Sequence, residues 1–394
     1  MDKVRLAGAG ALIVAMTLAA GAGRAADLIV SANDGKFVRV EGKSTYPRPA
    51  PPDSLVVIDA TRKPPAVVAT LEGVEQTVQG PPQSVAITPD GTLAVLGAPT
   101  HWDDTTGKEV FDQFIQVVDL EASPPTLIAK VDIGAHPNGM SISPDGKLLL
   151  AATLDGTVKV LSINGKDVKL VDSLKLSDRR VASVSFTHDG AAALVTLRED
   201  GGVAVLDVQG GTVHPTKGRI STGIAPYSVD VSSDGHWAVV SDVGLNGVTT
   251  MTGVSAGDAD NITLIDVSHR PFRAVQYLTV PSIPEGVAIS PNGRWIVVQA
   301  MDGSNLTPDN PGRHKTGKVV LFRIDGGRAQ YVNDVPGGEA AQGIAIGKDN
   351  QTIFVQFDVE KAIAVYAIRN GKVVDTGQRM KLAAGPVAIR SMPR

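Results

Sequence analysis

Short apolar bursts alternating with polar or small residues return at near-regular distances along the chain. One such burst, with the turn that ends it, recurs six times: PQSVAITPDG from Pro82, PNGMSISPDG from Pro137, VASVSFTHDG from Val181, PYSVDVSSDG from Pro226, PEGVAISPNG from Pro284 and AQGIAIGKDN from Ala341. A seventh, AGPVAI from Ala384, runs into the C-terminus, and the successive spacings are 55, 44, 45, 58, 57 and 43 residues. Period-2 pairs such as Val85 and Ile87, Met140 and Ile142, and Val287 and Ile289 predict a strand. The Pro-Asp-Gly ending predicts a tight turn. Proline presets φ at the first corner, Asp or Asn bonds its own backbone, and glycine accepts a left-handed φ. In the sixth copy Asn350 stands in the glycine place, and asparagine is the next residue most tolerant of that conformation.

A second strand follows each turn (LAVLG, LLLAA, AALVT, WAVVS, WIVVQ, IFVQF). A third comes after it (FIQVVDL, TVKVLSI, GVAVLDV, NITLIDV, KVVLFRI, AIAVYAI), and weaker fourth strands such as TLIAKVDI and AVQYLTV close the units. Four strands per repeat is the pattern of a β-propeller blade. The ends set the number of blades. LIVS at 28–31 matches a second strand, SLVVIDA and AVVATL supply a third and fourth, and the missing first strand is the C-terminal 386–389. One blade is therefore expected to be assembled from both termini, giving an all-β, seven-bladed ring of four antiparallel strands per blade with no open edge.

Repeats of the form PxxVxISPDGxxxxV, with third strands ending in V-x-[DS], resemble the YVTN-type bacterial propellers and the related lactonase-type seven-bladed family over residues 27–394. The resemblance implies the fold and allows a lactonase activity. Because the repeated residues build turns and strands, it carries no catalytic pattern over residue by residue. No WD dipeptide closes the third strands, which speaks against WD40 repeats, and Ser233-Asp234-Gly235-His236-Trp237 has the wrong spacing for a sialidase-type Asp-box.

Residues 1–25 read differently. Lys3 and Arg5 precede an apolar run at 6–20 and the small-residue stretch 21–26, the order of a secretory signal peptide cleaved after Ala25, with Ala22 as the alternative. The run is shorter than the ~20 residues a bilayer-spanning helix needs. The expected domains are thus a signal peptide at 1–25 and a single propeller at 26–394, placed in the periplasm, free of the membrane after cleavage, and monomeric. The 394 residues contain no cysteine, which excludes disulfides, thiolate metal sites, a Cys nucleophile and CxxCH haem attachment. Net charge is −4, becoming −6 without Asp2, Lys3, Arg5 and Arg24, and no basic run stands out, so nucleic acid is not an expected partner.

Propellers use the loops from fourth to first strands and from second to third strands, which share one end of the channel. The second-to-third loops are long in the first blade (98–112), the fourth (242–260), the fifth (301–317) and the terminus-spanning blade (33–52). Loops of this length in a compact domain are functional or disordered. In ring order they predict two walls facing each other across a cleft over the channel mouth. His101, Trp102, Asp103 and Asp104 in the first-blade loop, and Asp302 and His314 in the fifth-blade loop, are candidate ligand-binding groups. These loops are oxygen-rich, but Asp103-x-Thr105-x-Gly107 falls short of an EF-hand. No cofactor is assigned, and a divalent cation such as Ca²⁺ stays an alternative. The fourth-blade segment 244–257, with Met251, reads equally as a flap or as disorder. His188 and His236 flank the turns at the opposite end.

The fourth-to-first connections place His136, Arg179, Arg180, Tyr227, Glu285 and Gln342 around the channel mouth. A lactonase needs an electrophilic clamp on the carbonyl and a base for water, roles that His136, Arg180 and Glu285 suit; Tyr227 and Gln342 are ligand-binding candidates. With only 8 Phe, 5 Tyr and 3 Trp in the chain, and Trp102 and Tyr227 alone expected in the cleft, polar and charged ligands rank ahead of stacked sugars. Three functions remain open: an exported propeller binding a small polar molecule or a periplasmic protein, a hydrolase of a lactone or sugar-acid derivative, and a propeller subunit of a periplasmic dehydrogenase complex.

Overall fold

The protein's computed structural model describes residues 27–244 and 259–393. The expected signal peptide and most of the fourth-blade loop lie outside the described residues. Seven four-stranded antiparallel sheets form a β-propeller, and among the described residues there is no helix. Six blades run in chain order. The seventh takes its inner strand, Gly385–Ser391, from the C-terminus and pairs it with Leu28–Asp34, from Ile29 opposite Ser391 to Asp34 opposite Gly385. The strand order of that blade matches the sequence pattern.

The turns form as the sequence chemistry requires, with one addition. Gly91, Gly146, Gly190, Gly235 and Gly293 all have positive φ, as does Asn350 at 60°. The carboxylate or amide one residue earlier accepts the backbone N–H two positions on, for example Asp145 from Lys147 at 3.1 Å and Asp234 from His236 at 3.1 Å. The added element, in the first five copies, is the Ser or Thr two residues before the acid or amide. Its hydroxyl donates to the acid and accepts the N–H that opens the second strand, as Ser143 does towards Asp145 at 2.6 Å and from Leu148 at 3.0 Å.

Inner strands converge on the axis, and glycine lets them. A Cβ on Gly139 of the second blade would stand 2.6 Å from Ser183 Oγ of the third, and one on Gly286 of the fifth 2.8 Å from the Gln342 carbonyl oxygen. Apolar side chains between neighbouring blades make the core, as where Val297 and Leu321 meet Ile353, Val355 and Tyr366. First to third strands are buried on both faces, whereas fourth strands such as Thr126–Asp132 and Arg273–Thr279 alternate exposed and half-buried positions. Side chains also tie the ring across its axis. Gln83 of the first blade donates to the Val229 carbonyl of the fourth at 3.0 Å, accepts Val229 N–H at 3.1 Å and accepts the Ser183 hydroxyl. Arg390 pairs with Asp230 at 3.2 Å. A cavity of about 110 Å³ opens at the turn end, and Arg390 and Asp230 line it with His188 and Met392 among others.

Candidate functional site

Two of the long loops fold into hairpins that period-2 patterning did not mark. Val38–Val40 pairs with Lys43–Thr45 in the terminus-spanning blade, and Thr100–Asp103 with Lys108–Phe111 in the first. The first of these is a strap across the sixth blade. At its tip Gly42 has φ 72°, and a Cβ there would stand 2.5 Å from the Leu306 carbonyl carbon and Thr307 nitrogen of the fifth-blade loop. Glu41 N–H donates to Glu339 Oε1 at 2.9 Å, and Arg313 pairs with the same oxygen at 3.3 Å. At the other end Tyr46 packs on Trp102 with ring centroids 4.9 Å apart, and the Arg48 guanidinium lies 3.9 Å over the indole. The terminus-spanning loop therefore touches both the first-blade hairpin and the fifth-blade loop. The two expected walls are joined along this side.

The strap's root is a buried charge cluster. Lys36 Nζ pairs with Asp53, lies 3.3 Å from Asp34 and donates to the Gln76 carbonyl at 2.6 Å. Asp53 also accepts the N–H groups of Gly35 at 2.8 Å and Gln76 at 2.9 Å. Burial pushes the Asp34 carboxyl up to about 6, against the opposing pull of Lys36.

Below the hairpins a cavity of about 360 Å³ opens on the axis, and each blade or the connection leading into it supplies a wall residue: Phe37 and Arg39 from the strap, Phe111 from the first-blade hairpin, then Leu154, Arg180, Tyr227, Glu285 with Met301, and Gln342 with Asp358. Four of the channel-mouth candidates, Arg180, Tyr227, Glu285 and Gln342, thus share one cavity. His136 lies behind it. Its ring meets Phe111 edge-on at 4.8 Å, and its Nδ1–H donates to the Asp112 carbonyl at 2.8 Å. A carbonyl only accepts, so the proton of the neutral ring sits on Nδ1 and Nε2 carries a lone pair, buried and unpartnered. Burial holds this imidazole below its ordinary value.

Glu285 is partly open to the cavity along its side chain, but Oε2 is sealed and has no hydrogen-bond partner. Burial pushes its carboxyl up to about 7, although Arg198, Arg39 and Arg180 all pull the other way. Arg198 lies 4.3 Å over the Tyr227 ring with Nη1 buried and unpartnered. Arg180 Nε is 3.1 Å from Glu199, close in charge but too poorly aligned for a hydrogen bond. Arg179 is exposed. A carboxyl that titrates near neutrality beside unsatisfied guanidinium groups can accept a proton from a bound molecule while they hold its negative end.

The remaining candidates sit away from the cavity. His101 is exposed and pairs with Asp112 at 2.7 Å, and Asp103 closes its own turn by accepting Thr105 N–H at 2.8 Å and the Thr106 hydroxyl at 2.7 Å. Asp104 is exposed at the same turn. Asp302 is engaged by His314 at 2.9 Å. Among the described residues no group of three or more His, Asp or Glu side chains converges to hold a metal. The aromatic expectation is corrected. Phe37 and Phe111 join Tyr227 in the cavity wall, with Tyr46 and Trp102 beside them, because unforeseen hairpins carry four of these rings to the mouth. Phe37, Arg39, Phe111, Arg198 and Asp358 were missed. A positional signal existed for part of this set: Leu154, Met301 and Asp358 directly follow second strands, and Arg198 lies two places beyond one.

The family described as WD domain, G-beta repeat matches residues 130–162, less than one repeat, from the end of the first blade to the third strand of the second. No curated protein matches the chain. Solved structures of differently named proteins share its seven-bladed propeller fold. A putative 6-phosphogluconolactonase from Bacteroides fragilis superposes with a TM-score of 0.67 at 14% identity, covering 93% of this chain and 98% of that one. The periplasmic gluconolactonase of Pseudomonas aeruginosa gives 0.60 at 16% identity over 92% and 99%. Hydrazine synthase of Kuenenia stuttgartiensis gives 0.59 at 17% over 79% and 90%. At these identities the likeness is one of fold.

Proposed function

We propose that this chain is an exported, periplasmic propeller whose channel-mouth cavity binds a small polar molecule of the sugar-acid class. The observation that carries the reading is the cavity wall, where the Glu285 carboxyl stands with the guanidinium groups of Arg39 and Arg180. Carboxylate and hydroxyl groups of a sugar acid complement guanidinium donors and a carboxyl acceptor. Export is supported by the signal-like order of residues 1–25, and a periplasmic gluconolactonase has the same fold.

The pKa of Glu285 favours a second reading, hydrolysis of the corresponding lactone. A carboxyl near 7 is matched to taking a proton from water at neutral pH, and the arginines could steady the oxygen on which charge develops. Thermal-shift titration with D-gluconate tests binding, since a ligand specific for the native state raises its stability. Release of acid from D-glucono-1,5-lactone, increasing with pH through about 7 and lost in Glu285→Gln, tests hydrolysis. A protein that neither shifts with gluconate nor opens the lactone contradicts the assignment.

A further inference from the structure

Asp358 directly follows the second strand of the sixth blade, Thr352–Phe357, and lines the mouth cavity across the ring from Arg180. It is 1% exposed, its Oδ1 has no hydrogen-bond partner, and a Cβ on Gly385 would stand 2.0 Å from that oxygen. Glycine at the start of the C-terminal inner strand is what lets the carboxyl occupy this position. Charges of both signs surround it, the repulsive pair acting more strongly. Asp34 and Glu360 repel it, while Lys361 and Arg39 attract it more weakly. Buried, repelled and served by no donor, such a group is more stable with its proton on, and burial holds this carboxyl well above the usual range. Its O–H then needs an acceptor that the described residues do not supply.

We propose that Asp358 is a second ligand-contacting group of the cavity, a carboxylic acid that donates a hydrogen bond to a ligand oxygen and, when the ligand is a lactone, delivers its proton to the departing ring oxygen. The proton-delivery half rests on the hydrolytic reading above. Water oxygen bonds to the carbonyl carbon as Glu285 takes one of its protons. The bond from acyl carbon to ring oxygen then breaks, its electron pair leaves on the ring oxygen, and that oxygen takes the Asp358 proton to become a hydroxyl. Glu285 ends protonated and Asp358 ionised, and exchange with solvent resets both. Two carboxyls in one cavity, one under the net pull of arginines and one under the net repulsion of carboxylates, have the unlike surroundings that acid and base roles require.

Infrared difference spectra of wild type against Asp358→Asn near neutral pH test the acid directly. A protonated-carboxyl C=O band present in wild type and missing from the variant is expected; a wild type without it overturns the proposal whatever the protein's activity. In gluconate titrations Asp358→Asn, whose amide still donates, is expected to bind within about threefold of wild type, while Asp358→Ala weakens binding about tenfold. Equal affinity in the alanine variant overturns the ligand contact. With glucono-1,5-lactone Asp358→Asn is expected to lower kcat about 10²-fold at similar KM, because an amide holds no transferable proton. A wild-type kcat overturns proton delivery. A wild type inert towards both compounds refutes the sugar-acid reading instead, and the infrared band still decides whether Asp358 is an acid.

Discussion

Replacing Glu285 by glutamine removes a charge that burial opposes and keeps the shape of the side chain. Folding moves this carboxyl from an ordinary 4.5 to about 7 because desolvation outweighs Arg198, Arg39 and Arg180. A group with a higher pKa in the folded state binds its proton more tightly there. Its contribution is therefore fully present below the unfolded value and is lost as pH rises through about 7. At about 1.4 kcal/mol per pKa unit, the ionised form costs the fold up to ~3 kcal/mol near pH 8. The side chain is partly open to the cavity, so solvent screening brings the expectation to about 1–3 kcal/mol. Glutamine has no such dependence. Urea unfolding of wild type and Glu285→Gln is expected to give nearly equal stabilities at the acid end. Near pH 8 the variant is expected to be more stable, with the slope against denaturant unchanged. A difference that does not grow with pH, or a variant less stable at both ends, refutes the burial account. Stabilisation accompanied by loss of lactone hydrolysis is the trade-off expected where a site holds a charge against the preference of the fold.

Other perturbations test the frame around the cavity. Removing residues 384–394 deletes the inner strand Gly385–Ser391 with buried Val387 and Ile389, each worth about 2 kcal/mol in burial alone. Loss of the cooperative thermal transition in circular dichroism is expected, and native-like melting of the truncated chain contradicts closure by the C-terminus. Arg390→Ala removes the cross-ring ion pair with Asp230, whose carboxylate still accepts the Ile289 N–H at 2.9 Å, and is expected to cost about 1–3 kcal/mol in chemical unfolding. Arg390→Lys recovers part of this, and an alanine variant of wild-type stability shows that the cross-ring pair contributes nothing. Gly42→Val places a branched side chain at φ 72° against the Leu306–Thr307 backbone. It is expected to free the strap, speeding limited proteolysis around residues 36–45 while changing global stability by only about 1 kcal/mol. Unchanged protection there contradicts the latch at Glu339.

The sequence patterning reached the frame and stopped at the loops, for a physical reason. Turn chemistry and strand alternation are local, so Ser143, Pro144, Asp145 and Gly146 announce their turn wherever they stand. Ring position follows from repeat order, which is why Arg180, Tyr227, Glu285 and Gln342 were legible as neighbours although they come from different connections. His101, Asp103, Asp104, Asp302 and His314 looked alike as polar loop residues. Whether such a side chain faces a cavity or closes its own turn depends on hairpin geometry, which short irregular loops do not encode by periodicity. Arg39 and Phe111 were missed for the same reason, their hairpins being only three and four residues per strand.

By itself the sequence determined the all-β class, the repeat, the number of blades and the sharing of one blade between the termini. Each of these follows from near-neighbour chemistry repeated in order. Only the tertiary structure decided which side chains lose water and which find partners. Glu285 reaches about 7 because the ring closes around it, and Asp358 lies unsatisfied because Gly385, 27 residues later in the chain, leaves room for its oxygen. Desolvation and unmet hydrogen bonds depend on everything that surrounds a group, and here those surroundings come from opposite ends of the chain.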